Sequence, residues 1–169
     1  ELERMFRLHD AQPAYGSIVG AGANACVLHY HANNALVRDG DLVLIDAGAE
    51  YRGYAADITR TFPANGRFTA AQRALHELVG QAQAAALAHA RPGVPYEAGH
   101  NAAVETLTEG LLRLGLLKGK LEKNIAEGHY RRYYRHKTGH WLGMDVHDVG
   151  EYRFDGESRL LEPGMVFTI

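Results

Sequence analysis

The chain has 169 residues, a length that suits one domain or a large part of one. Eighteen basic and 20 acidic side chains give a net charge of −2, so the composition favours neither a nucleic-acid partner nor a membrane surface. Cys26 is the only cysteine. It excludes an internal disulfide framework, and we expect a reducing, cytoplasmic setting and a buried position for this residue. No apolar run approaches the about 18 to 20 residues of a membrane-spanning helix.

The predicted elements indicate an α+β fold, with strands first, then helices, then a final strand. They are a helix at 1–9, strands at 17–19, 25–30, 42–45 and 53–62, helices at about 70–90 and 96–114, a short helix or linker at 120–124, and a strand at 165–169. Thr69 and Gln72 match the Ser/Thr-x-x-Glu/Gln capping box, which predicts that the long helix starts near Ala70. Its predicted apolar face holds six residues: Leu75, Leu78, Val79, Ala82, Ala85 and Ala86.

Two aspartates on the predicted hairpin are the sharpest local signal. A four-residue loop at 50–53 pairs Ala49 with Tyr54 and therefore places Asp46 directly opposite Asp57. Two like charges at such a position destabilise a sheet, whereas a divalent cation between them reverses the sign. A register shift or a bulge is the alternative, in which case the aspartates end a strand and cap a turn.

Histidines cluster in the last third of the chain. His136 and His140 are four positions apart, which places them on one face of either a helix or a strand. The zinc-protease pattern His-Glu-x-x-His is excluded because Lys137 follows His136. Glycines at 139, 143 and 150 predict an irregular backbone, and neutral imidazole is a good ligand for first-row metals.

The segment at 129–137 is basic and contains three tyrosines, which is a pattern that can contact nucleic acid. It is short, and the rest of the chain is slightly acidic. A solvated or substrate-facing loop is therefore the favoured interpretation, and no nucleic-acid partner is predicted.

At these motifs the sequence resembles the creatinase/aminopeptidase family, and within it the Xaa-Pro aminopeptidases (aminopeptidase P). The resemblance rests on motifs that keep their order and spacing along nearly the whole chain: LHY at 28–30, DGDLVLIDAG at 39–48, GYAADITRTFP at 53–63, GHWLGMDVHDVG at 139–150 and LEPGMV at 161–166. Prolidases share much of this pattern.

The resemblance implies a "pita-bread" α+β fold, with an antiparallel sheet and flanking helices, that holds two divalent metal ions. The metals are usually Mn²⁺, with Co²⁺ or Zn²⁺ as alternatives. By motif, Asp46, Asp57 and His140 match metal ligands, with Asp57 in the bridging position. His29, His136 and His147 match the active-site histidines that contact substrate and stabilise the transition state.

The implied reaction is hydrolysis of the bond between an N-terminal residue and a following proline, with a peptide substrate as the partner and homo-oligomerisation left open. Two further Glu ligands of the family, the first directly after the position of Ile169, and the family's N-terminal domain have no counterpart in the chain. Residues 1–169 are therefore expected to be a partial catalytic domain that is incomplete at the C-terminus and weak or inactive alone. A prolidase and a non-catalytic binding module of the same fold are the alternatives.

Overall fold

Residue contacts in the computed structural model, which describes all 169 residues, divide the chain into two units. The first unit comprises residues 1–73 and 141–149, and the second comprises residues 74–140 and 150–169. None of the helices combines the length and apolar character that crossing a bilayer requires.

The helices lie where the sequence predicts them. They are α1 (Leu2–Leu8), α2 (Ala70–Leu87), α3 (Tyr96–Arg113) and α4 (Leu121–Ala126). The capping box at the start of α2 is formed in both directions, since the backbone N–H of Thr69 donates to Gln72 Oε1 at 2.9 Å and that of Gln72 donates to Thr69 Oγ1 at 3.3 Å. The predicted start of this helix is therefore confirmed together with its cause.

Six of the eight strands lie in the first unit and form two antiparallel sheets. They are β1 (Gln12–Pro13), β2 (Ile18–Ala21), β3 (Leu42–Ala47), β4 (Ala49–Tyr51), β5 (Tyr54–Ala55) and β6 (Ile58–Pro63). The strand orders are β1-β4-β5 and β2-β3-β6. Ile18, Ala21 and Val43 are buried on the second of these sheets. β7 (Arg153–Phe154) and β8 (Glu157–Ser158) pair in the second unit.

The register of the aspartate hairpin differs from the predicted one. The turn has two residues, Arg52 and Gly53, both with positive φ (51° and 84°), and Tyr51 pairs with Tyr54. Such a turn follows the twist of the flanking strands better than a four-residue loop. Asp46 consequently lies opposite Thr59, so the direct opposition of Asp46 and Asp57 was wrong. A shift of two residues keeps every side chain on its face, and the two aspartates become diagonal neighbours.

Three smaller predictions were also wrong. The segment at 25–30 is not a strand, because the chain turns into a short 3₁₀ helix, Gly22–Cys26, packed against β2. Cys26 is exposed at the end of that helix rather than buried. Residues 165–169 form no regular strand.

The core of the second unit is the contact between α2 and α3. Leu78 of α2 packs where Gly110 of α3 leaves room, since a Cβ at Gly110 would lie 2.1 Å from a Leu78 methyl carbon. The buried cluster comprises Leu78, Ala82, Ala86, Ala103, Val104, Leu107, Leu111, Leu117 and Tyr130. Leu75 and Val79, which the sequence assigns to the apolar face of α2, are exposed by 42% and 59%.

Candidate functional site

In the first unit a single hydroxyl group contacts both aspartates. Tyr15 Oη lies 2.6 Å from Asp46 Oδ1 and 3.0 Å from Asp57 Oδ1, and all three side chains are partly buried. The two carboxylates therefore converge on one point, although the strand register separates them diagonally.

The charge of this pair fits a cation. A phenol has one proton to donate, so Tyr15 cannot donate a full hydrogen bond to two carboxylates at once. Burial raises the pKa of Tyr15, and the hydrogen bond and negative charge of Asp46 and then those of Asp57 raise it further, so the hydroxyl keeps its proton. Two hard carboxylates on one face, with a single neutral donor between them, form a donor set that suits Mn²⁺, Mg²⁺ or a similar divalent ion.

Sequence reasoning missed Tyr15. The residue reaches Asp46 because β1 pairs with β4, where Pro13 lies opposite Ala49, and because the Ala14 N–H then donates to the Gly48 carbonyl at 2.9 Å. Its contact with Asp46 spans 31 positions and that with Asp57 spans 42. No local periodicity predicts such a contact. It could have been predicted only from the pairing of β1 with β4.

His29 lies in an exposed segment of the first unit that is fastened to β2. Its φ is +54°, an uncommon value for a residue other than glycine. Four residues after His29, the Asn33 side-chain amide accepts a hydrogen bond from the Val19 N–H and donates one to the Ser17 carbonyl, both at 2.7 Å. Asn33 thus replaces a strand partner at this edge and fixes the segment that presents His29.

His147 lies in the loop at 141–149, also in the first unit, and is exposed. The loop is docked on the aspartate hairpin, because the Ala55 N–H donates to the Gly143 carbonyl at 2.8 Å. The Asp148 carboxylate packs against Gly143, since a Cβ there would lie 2.0 Å from one of its oxygens and would displace that side chain. This hydrogen bond holds the loop of His147 at Ala55, which precedes Asp57 by two residues in sequence.

His140 belongs to the second unit, where its backbone is fixed at two points. Its N–H donates to Thr168 Oγ1 at 3.1 Å, and its carbonyl accepts the Thr168 N–H at 2.9 Å. The preceding Gly139 has no room for a side chain, because a Cβ would lie 1.8 Å from the Thr168 carbonyl oxygen. His140 also lines a cavity of about 400 Å³ in this unit, a size that suits a small ligand.

His136 is exposed on the irregular segment that leads to His140. Its Nδ1 lies 2.7 Å from the Lys137 carbonyl oxygen. A carbonyl can only accept, so Nδ1 is the donor in this contact. The predicted residues thus divide between the units: Asp46, Asp57, His29 and His147 in the first, and His136 and His140 in the second. Within neither unit do three His, Cys, Asp or Glu side chains form a metal-binding group by themselves.

Comparison with known proteins identifies the family. The model of metallopeptidase family M24 matches residues 1–169. The chain belongs to metallopeptidase family M24. It is 49% identical to the Xaa-Pro aminopeptidase of Escherichia coli K12 over 170 residues and 50% identical to that of Haemophilus influenzae over 165. These matches cover 100% and 97% of the chain but 38% of each relative, so this M24 chain spans well under half the length of the curated proteins it matches.

Solved structures agree with the family. Pseudomonas aeruginosa aminopeptidase PepP matches with a TM-score of 0.97 and 57% identity, over 98% of the chain and 38% of that structure. A substrate complex of an E. coli aminopeptidase P variant and a zinc-substituted E. coli aminopeptidase P with product each match with a TM-score of 0.94 and 49% identity over the same shares. The predicted pita-bread fold of this M24 chain is therefore confirmed, as is the predicted family.

Proposed function

We propose that the complete protein carrying this chain is a metal-dependent aminopeptidase that hydrolyses the bond between an N-terminal residue and a following proline. The observation that supports this most directly is the convergence of Asp46 and Asp57 on the Tyr15 hydroxyl, in a chain of the M24 family. Relatives named Xaa-Pro aminopeptidase at about half identity support the same substrate class.

In this proposal Asp46, Asp57 and His140 are metal ligands, and the metals are two Mn²⁺ ions. Carboxylate oxygens favour such hard cations, and His140 adds one neutral nitrogen. When bound, two divalent ions supply Lewis-acid polarisation of the scissile carbonyl and a nucleophilic water at neutral pH. The Tyr15 hydroxyl orients the two carboxylates through its hydrogen bonds.

The remaining histidines act on the substrate. His29 and His147 donate hydrogen bonds to the oxyanion that develops in the transition state or to the proline nitrogen as it leaves. Their loops are held by the Asn33 amide and by the Gly143 carbonyl, so both rings are presented from fixed backbone. His136 lines the substrate pocket, with its Nδ1 held by the Lys137 carbonyl. Proline is recognised by its fixed φ and by its missing N–H.

The test is Asp57→Ala in the complete protein. We expect the variant to lose two-metal occupancy, measured by metal analysis after dialysis against Mn²⁺, and to lose cleavage of an Xaa-Pro tripeptide. Asp155→Asn, in an exposed turn of the second unit where φ is positive and Asn is tolerated, removes the same charge as a control and should retain both. Full cleavage by the Asp57 variant would contradict the proposal.

A length series of Xaa-Pro peptides then defines the substrate class. Cleavage of tripeptides and longer peptides supports an aminopeptidase, whereas activity that stops at dipeptides identifies a prolidase. Assays with Mn²⁺, Co²⁺ and Zn²⁺ identify the metal. A wild-type protein that binds no divalent metal would instead be a binding module of the same fold.

A further inference from the structure

Three side chains of the second unit form a hydrogen-bonded chain with Thr138 in the middle. Thr138 Oγ1 lies 2.8 Å from Nδ1 of His100, which belongs to α3, and 2.7 Å from Oη of Tyr134. All three residues are partly buried. The irregular segment at 134–139 is thus tied to a regular helix by the contact of Thr138 with His100, which lies 38 positions earlier in the sequence.

The hydrogen-bonded network of His100, Thr138 and Tyr134 ends at the ring of His136. The rings of Tyr134 and His136 meet edge to face, with centroids 5.2 Å apart and planes inclined at 63°. His136 is exposed and lies on irregular backbone, and its ring is held at two places: by the Nδ1 contact with the Lys137 carbonyl oxygen and by the Tyr134 ring. Of these two contacts, the one with Tyr134 reaches the network, because the Tyr134 hydroxyl is hydrogen-bonded to Thr138.

The protons of the network can be assigned in one consistent order. Burial and then the charge of Lys137 lower the pKa of His100, against an opposing effect of Glu97, and His136 and Arg131 lower it further. His100 is therefore neutral at pH 7 and can accept at Nδ1. Tyr134, whose pKa is raised mainly by burial, keeps its proton and donates to Thr138, which donates in turn to His100. Every member then has a partner.

We infer that His100 is a positioning residue for substrate recognition, because it holds Thr138 and Tyr134 and thereby the ring of His136. The inference rests on the proposed function in one respect, namely that His136 lines the substrate pocket. His100 and Thr138 also line the cavity that His140 lines, so the network borders the region where a ligand fits. Neither His100 nor Thr138 needs to touch the reacting atoms for this role.

The experiment removes the shared hydroxyl with Thr138→Val in the complete, metal-loaded protein. We expect KM for an Xaa-Pro tripeptide to rise about tenfold while kcat stays within about twofold, because binding of substrate and transition state is weakened alike. Thr138→Ser should restore KM, since it keeps the hydroxyl. Thr106→Val is the matched control: Thr106 lies on α3, as His100 does, and its hydroxyl donates to the Ala102 carbonyl of the same helix at 2.9 Å.

A second readout does not depend on catalysis. The imidazole proton shifts of His136, measured by NMR, should move in Thr138→Val and in His100→Gln, because the Tyr134 ring leaves its position. They should stay unchanged in Thr106→Val. The effects of His100→Gln and Thr138→Val on KM should also be strongly non-additive, as expected for two partners in one network.

The outcomes separate the two proposals. A wild-type protein that cleaves no Xaa-Pro peptide defeats the proposed function, while the His136 shifts still test the positioning role. A wild-type protein that cleaves, with KM and His136 shifts unchanged in Thr138→Val, overturns the inference. The inference is also overturned if Thr138→Val lowers both kcat and stability and Thr138→Ser restores neither. If Thr138→Val does not fold, His100→Gln gives the same comparison.

Discussion

Tyr15 Oη lies 2.6 Å from Asp46 Oδ1, across 31 positions of sequence, and the same oxygen reaches Asp57. Tyr15→Phe removes a hydroxyl that contacts both carboxylates while it keeps the ring. We expect Mn²⁺ affinity to fall about 10- to 100-fold, as for other groups that orient metal ligands. Isothermal titration calorimetry of the metal-depleted protein measures this directly.

Tyr30→Phe is the control for that experiment. Tyr30 Oη contacts Asn24 and Asn34 in the same unit and neither aspartate. Its substitution should leave Mn²⁺ affinity unchanged. Equal affinities in the Tyr15 and Tyr30 variants would show that the Tyr15 hydroxyl has no part in holding the ligands.

Gly139 should tolerate no side chain. A Cβ there would lie 1.8 Å from the Thr168 carbonyl oxygen, and the Gly139 carbonyl already accepts the Tyr96 hydroxyl at 2.7 Å. We expect Gly139→Ala to cost about 1–3 kcal/mol and to lower the thermal denaturation midpoint. The matched control is Gly80→Ala in the middle of α2, where nothing lies within 4 Å of the new Cβ. That change should stabilise the helix by about 0.5–1 kcal/mol, and a similar response at both glycines would contradict the prediction.

The ion pair of Glu97 and Arg153 should make stability depend on acid. Arg153 donates from Nε at 3.2 Å and from Nη2 at 2.5 Å to the two oxygens of Glu97. This hydrogen bonding, more than the nearby positive charges, lowers the pKa of Glu97 below its ordinary value of 4.5. The unfolded chain therefore takes up the proton first, so the contribution is complete above about pH 4.5 and is lost as the pH falls through the folded pKa.

Because solvent reaches both side chains and screens their charges, we expect this contribution to be small. Glu97→Gln should flatten the decline of the denaturation midpoint below pH 4.5. The control Glu105→Gln removes the same charge from an exposed position of the same helix. If both variants keep the wild-type acid dependence, the ion pair contributes nothing measurable.

Local signals predicted the helices well. The capping box of Thr69 and Gln72 marks the start of α2 within four residues of sequence, and both of its hydrogen bonds are present. The apolar face of α2 was right at Leu78, Ala82 and Ala86 but wrong at Leu75 and Val79. Periodicity gives the direction of a face but not its width, which depends on the size of the element packed against it.

The strands show where sequence reasoning stops. The face of Asp46 and Asp57 was correct because a two-residue register error preserves the alternation of side chains, yet their direct pairing was not. The turn chemistry of Arg52 and Gly53 was the missing information. Tyr15 was invisible for a different reason, since its contacts depend on pairing between strands that are distant in sequence.

Trp141 is the only tryptophan of the chain, it directly follows His140, and only 7% of its surface is exposed. Its carbonyl accepts the Asp148 N–H at 3.1 Å, next to His147. Tryptophan fluorescence, excited selectively over the nine tyrosines, therefore arises at one buried indole, which follows a predicted metal ligand in sequence and lies in the loop that carries a predicted substrate-binding histidine. Emission can report cation titration at that point without a label, and a red shift marks the moment when this segment opens to water.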